Sequence, residues 1–142
     1  MKVETRDFGV IEIDEKDVIS FVSPIYGFDQ YRKFVIINDI SIGTDIMWLQ
    51  SIDNKDICFV VVSPFVVIED YNPTISVDQV SMLEPESDEE LSYATIAVIP
   101  KKLEDATVNL KSPIVINNKN KKAMQIILED EYPIRYNLYK GE

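Results

Sequence analysis

Among the side chains able to do chemistry, carboxylates dominate. The chain has 142 residues, with 25 Asp and Glu, one cysteine (Cys58) and no histidine. Two carboxylates flanking a bond can act as acid and base, or as acid and nucleophile, which is the arrangement of glycoside hydrolysis. Such work needs at least one acid in an apolar setting that shifts its protonation. Most acids here fall in turn-like stretches, so a carboxylate-dependent hydrolase is the reading the residues support least. The missing imidazole removes the commonest general base and metal ligand, and with it the Ser–His and Cys–His nucleophile systems. One thiol builds no thiolate zinc cluster. Gly9, Gly27, Gly43 and Gly141 are too scattered for a phosphate-cradling loop. The sequence therefore assigns no catalytic, metal-binding or cofactor-binding residue, and a non-enzyme is expected.

What remains is polar chemistry suited to binding. Glu84, Glu86, Asp88, Glu89 and Glu90 form the densest acidic cluster. It reads either as a solvated turn or as a docking patch for a basic partner. Lys119, Lys121 and Lys122 oppose it in sign and read as a charged hairpin tip that discourages edge-to-edge pairing. Tyr71 sits in a polar stretch with Glu69, Asp70, Asn72 and Pro73. An aromatic there is either a lid over the core or an interface anchor, and the sequence leaves both open. Trp48 lies in an apolar strand and is expected in the core. Asn109 and Gln125 also lie within apolar strands, where a buried amide must find partners, so both are expected to brace backbone. Cys58, between Ile57 and Phe59, reads as a small buried hydrophobe.

The formal net charge is -11. Phosphate backbones and anionic lipid select basic surfaces, so direct nucleic-acid and membrane binding are disfavoured. A basic protein partner is favoured through faster encounter, unless the acidity only keeps the chain soluble. The length fits one domain, able to bury about two-thirds of its unfolded surface. A single cysteine fits a reducing cytoplasm. No signal peptide is read at the N-terminus, and the longest apolar runs, 59–62 and 65–68, fall far short of a membrane span. A monomer is favoured.

The elements that must position these residues are mostly short strands. Period-2 alternation and β-branched residues predict strands over 2–6, 10–14, 18–22, 33–37, 46–52, 57–63, 93–99, 106–110, 113–116 and 123–128. Asp53-Asn54-Lys55-Asp56 has turn chemistry and joins the fifth and sixth as a hairpin. A loop is expected over 38–44, and 117–122 is a polar hairpin loop. Pro64 ends its strand, and 65–68 is expected to continue extended. Residues 76–83 carry no clear signal. Ser87 and Glu90 have capping-box spacing, which predicts one helical turn over 87–91. Strands joined by turns imply an all-β, antiparallel system. The expected architecture is a compact barrel-like or two-sheet sandwich domain with at most one or two short helices. One domain is expected over 1–132, followed by a tail over 133–142 whose order the sequence leaves open.

Two blocks carry a resemblance. One is Trp48-Leu49-Gln50-Ser51-Ile52-Asp53 with the apolar strand ending at Pro64. The other is Asn109-Leu110-Lys111-Ser112-Pro113-Ile114-Val115-Ile116-Asn117 followed by 123–128. With Phe8-Gly9, Gly27-Phe28 and Tyr71, they make the chain resemble the flagellar assembly factor FliW family. One departure stands out. The family usually has a Gly-Leu-Pro-Gly-Phe type turn where this chain reads Pro24-Ile25-Tyr26-Gly27-Phe28.

The resemblance implies a cytoplasmic, non-enzymatic regulator with a barrel-like fold. It implies binding to flagellin and, when flagellin is absent, to CsrA, an RNA-binding repressor of flagellin translation. It also implies that an apolar groove or strand edge receives the helix-forming flagellin termini. The residues expected at the CsrA face are Glu69, Asp70, Tyr71, Asn72, Pro73, Glu84, Glu86, Asp88, Glu89 and Glu90. The competing reading is a general acidic decoy for another basic protein.

Overall fold

The computed structural model describes residues 1–38 and 46–138. Eleven strands carry the fold: β1 (Lys2–Glu4), β2 (Val10–Glu12), β3 (Ile19–Ser23), β4 (Lys33–Asn38), β5 (Ile46–Ser51), β6 (Cys58–Val62), β7 (Leu91–Val98), β8 (Thr107–Val108), β9 (Ile114–Asn117), β10 (Lys122–Gln125) and β11 (Tyr136–Asn137). The loop expected over 38–44 lies almost wholly outside the described residues. β1 and β2 form a small separate sheet. In the main sheet the order β7-β6-β5-β4-β3-β10-β9 closes on itself, because β9 also pairs with β7. This closure makes a seven-stranded barrel and decides between the two expected architectures. Strands β8 and β11 branch off β7.

One seam departs from the antiparallel expectation: β3 and β10 run parallel, with a register shift between Ala123 and Met124. Side-chain alternation has the same period in either direction, so the sequence pattern carries no sign of it. Parallel neighbours need a long connection, and these two strands come from opposite ends of the chain.

Alternation explains how the barrel fills. Phe21, Phe34, Leu49, Val61, Ala94, Ile114 and Ala123 form one core, one from each barrel strand. Along β9, Ile114 and Ile116 face this interior. Val115, between them, faces the opposite way into a second core with Tyr71, Leu83, Val108, Leu110 and Leu128. β9 is therefore buried on both faces. The second core exists because the segment between β6 and β7 lies against the barrel's outer surface.

That segment begins differently from the expectation. Pro64–Val67 is a single helical turn, not extended chain, with the Ile68 amide donating to the Pro64 carbonyl at 2.9 Å. Pro64 is pre-set for the first helical position, and this outweighs the β preference of Val66 and Val67. Ser81–Leu83 and Asp88–Glu90 are 3-10 turns, the second close to the expected 87–91. The Glu89 amide donates to Ser87 Oγ at 3.1 Å, while Glu90 Oε2 accepts from the Glu86 amide at 3.1 Å. The same two side chains cap the turn, but each bond is displaced by one residue from the capping-box pattern.

Candidate functional site

The family blocks prove to be structural bolts. Gln50, fully buried, accepts from the Arg6 amide at 3.0 Å. Its Nε2 donates to the carbonyls of Ser51, Lys55 and Ile57. It ties the N-terminal hairpin and the β5–β6 turn to one point. Ser51 Oγ accepts from the amides of Asp53 and Asn54, fixing that turn. Trp48 stands on the outer face of β5, half-buried, with Phe8 edge-on at 5.1 Å. Gln125 braces across strands as expected, accepting from the Tyr26 amide at 3.0 Å and donating to the Ser112 carbonyl at 3.2 Å. Asn109 braces locally, its Oδ1 accepting from the Lys111 and Ser112 amides.

The departing turn keeps its geometry. Gly27 has φ +89° and the Phe28 amide donates to the Ile25 carbonyl at 2.9 Å. A type II turn demands positive φ only at its third residue, where glycine is retained. Tyr26 occupies the second position, which tolerates most residues, and projects into solvent, 58% exposed.

Of the two readings for Tyr71, burial takes the core one. The ring is 4% exposed and its hydroxyl donates to the Leu110 carbonyl at 2.8 Å. Tyr132 packs at 4.6 Å and Phe65 meets it edge-on at 5.8 Å. Burial pushes the phenol's pKa up, reinforced by Tyr132, Asp130 and Tyr93. Tyr71 is thus a peg that holds its loop down, and an anchoring role by direct contact is corrected. A hydrophobic ring between two turns is drawn to the nearest apolar surface, here the outer core.

The rest of that loop stays on the outside. Glu69, Asp70 and Asn72 are exposed and Pro73 is half-buried. The Asn72 amide donates to Tyr132 Oη at 3.0 Å, and Thr74 donates its amide and hydroxyl to Asp130. Desolvation pushes the Asp130 carboxyl up, but the two Thr74 bonds, its own backbone amide and the charge of Lys111 together lower its pKa.

The acidic cluster is not left bare. Lys119 Nζ meets Glu86 at 3.0 Å and Glu90 at 3.8 Å, and Lys122 pairs with Glu84. These contacts raise the Lys119 pKa and lower that of Glu84. Two of the three lysines read as a repelling hairpin tip, Lys119 and Lys122, therefore serve as counter-ions. Asn117 and Asn120 reinforce them by donating side-chain amides to the Leu83 carbonyl at 3.0 and 2.9 Å. Glu84 caps its 3-10 turn at φ 51°, and Glu89 remains exposed. Asp88 belongs to the same short turn as Glu89 and Glu90.

The fold brings the two candidate segments together around one hollow of about 310 Å³. Pro73 lines it from one side and Pro85, Glu86 and Ser87 from the other, with Leu91 and Tyr93 of β7 between. Val77 projects at its rim, 82% exposed. Glu69 and Asp70 do not line it.

A second hollow, of about 370 Å³, lies where β7 parts from β9 and takes up β8. Ile96 and Val98 of β7, Thr107 of β8, Ile127, Ile134 and Arg135 are among its walls. No local pattern announces it, since its residues come from well-separated segments. Among the described residues, no group of three His, Cys, Asp or Glu side chains is placed to hold a metal ion, and no helix is long and apolar enough to cross a membrane.

Similar proteins place this architecture. The sequence model of the family described as "FliW protein" matches residues 2–138. A flagellar assembly factor FliW of Caldanaerobacter subterraneus subsp. tengcongensis is 43% identical over 137 residues, 96% of this chain and 91% of that protein. One of Caldicellulosiruptor saccharolyticus is 39% identical over 140 residues, 98% of this chain and 91% of that protein. A crystal structure of the flagellar assembly factor FliW superposes with a TM-score of 0.89 at 28% identity, covering 98% of this chain and 97% of that one. With the family's sequence blocks serving as the bolts of a closed barrel, and with near full-length agreement in sequence and fold, this chain belongs to the FliW family.

Proposed function

We propose that this chain serves flagellar assembly as a cytoplasmic, non-catalytic binding protein. It holds flagellin and, when free of it, captures the RNA-binding repressor CsrA and relieves repression of flagellin synthesis. The observation that carries this reading is FliW membership along nearly the whole chain, among relatives named as assembly factors rather than as enzymes.

Two surface features support it. Pro73 of the exposed loop that Tyr71 pegs down and Glu86 of the 84–90 cluster border one hollow, acidic through the segments that flank it. With a net charge of -11, this face suits a partner whose basic edge otherwise meets phosphate. Glu84, Glu86 and Glu90 already have lysine partners, whereas Glu69, Asp70 and Glu89 are exposed and have no ion pair among the described residues.

The test is a competition titration. Labelled CsrA is bound to this protein and flagellin is added. Stoichiometric displacement of CsrA is expected. CsrA binding without any flagellin binding would leave a general acidic decoy, and binding of neither would end the proposal.

A further inference from the structure

We propose that the apolar hollow at the β7 fork docks an amphipathic helix of flagellin, with a carboxylate of that helix pairing with Arg135. The inference rests on the function proposed above, because flagellin is its probe.

Four residues carry the apolar part. Tyr26, Val98, Ile127 and Ile134 are 58%, 63%, 50% and 60% exposed, and all four line this one hollow. Large apolar side chains gathered in a concave, exposed site mark an interaction surface, whereas scattered ones need no explanation. The charge at the site is the reverse of the molecule's. Among the described residues, Arg135 is the one charged side chain lining it, and no carboxylate does. Arg135 also has no ion-pair partner among the described residues. In so acidic a chain, an apolar hollow that none of the described carboxylates lines and that offers a guanidinium is complementary to an apolar surface bearing an acid.

Three backbone groups of the walls favour a helix over an extended strand. The Tyr26 amide is taken by Gln125, the Ser112 carbonyl by Gln125 Nε2, and the Asn109 amide by the Ile96 carbonyl. A strand docks by extending an open hydrogen-bond ladder, whereas a helix satisfies its own backbone and is recognised through side chains. These walls offer side chains.

The hollow shares no lining residue with the acidic one. Purified flagellin is titrated by calorimetry against the unaltered chain, Ile127→Glu, Arg135→Glu and the Glu69→Lys/Asp70→Lys double variant, with each variant's thermal melt recorded. Ile127 and Arg135 are solvent-facing, so native melts are expected. Both hollow variants should weaken binding by at least about tenfold, and the acidic-face variant by less than about twofold. The loss in Arg135→Glu should shrink as salt is raised, and that in Ile127→Glu should not. Flagellin binding undiminished in both hollow variants would overturn this inference and leave the proposed function standing. No flagellin binding by the unaltered chain would overturn both.

Discussion

Tyr71 shows how one buried hydroxyl can govern a loop. Its bond to the Leu110 carbonyl is made inside the outer core, and Tyr71→Phe removes it while leaving the carbonyl orphaned. A loss of about 1 kcal/mol in unfolding free energy is expected, read from urea titration. The pH dependence has a definite sign. The folded phenol's pKa is raised above its ordinary value of 10, so the unfolded chain ionises first. The stability this supplies is fully present below pH 10 and is lost as pH rises beyond it. The melting temperature should therefore fall in alkali, and less steeply in Tyr71→Phe. The sequence marked Tyr71 as special but not which way it faced. Its partners, Tyr132 and Leu110, lie far along the chain, so only the fold distinguishes lid from anchor. Gly27 was more legible, since positive φ is a local demand that the residue type itself announces.

At the scale of elements, the 81–90 segment and the β9–β10 hairpin are clasped by two kinds of contact. Asn117, 1% exposed, holds the Leu83 carbonyl through its Nδ2 and the Lys119 and Asn120 amides through its Oδ1. Asn117→Ala should cost about 1 kcal/mol or more in unfolding free energy, because a buried amide loses its three hydrogen bonds, although Asn120 still holds the Leu83 carbonyl. Lys119 is exposed, so Lys119→Ala should leave the thermal melt unchanged, in keeping with the small worth of surface pairs. Both are read by differential scanning calorimetry. The strands themselves were legible from alternation, and the ends of the fifth and sixth from Pro64 and the Asp53–Asp56 turn. Strand direction was not, so the parallel β3–β10 seam came only from the structure. The Pro64–Val67 turn was hidden because its residues favour strands and only the proline's position argues otherwise.

For the whole molecule, net charge separates the two proposed contacts. An acidic face that attracts a basic partner acts mainly on encounter rate and is screened by salt. Reversing Glu69 and Asp70 together should weaken CsrA binding by about tenfold at low salt and flatten its salt dependence. Stopped-flow association at two ionic strengths reads this, and an unchanged rate at low salt would remove these residues from the docking face. The acidic segments were legible because charge is a property of composition. The apolar hollow was not, because it exists only where a closed barrel forks.

β7 has a consequence for the pairing of these two surfaces. Leu91 and Tyr93 border the acidic hollow, and Ile96 and Val98, further along the same strand and of opposite parity, border the apolar one. At about 3.3 Å per residue the two stations are only roughly 17 Å apart. A single stiff rod of backbone thus serves as a wall to both rooms, its side chains furnishing one on the front and the other on the back. Both rooms therefore take their shape from the same eight residues of backbone, and neither wall is built independently of the other.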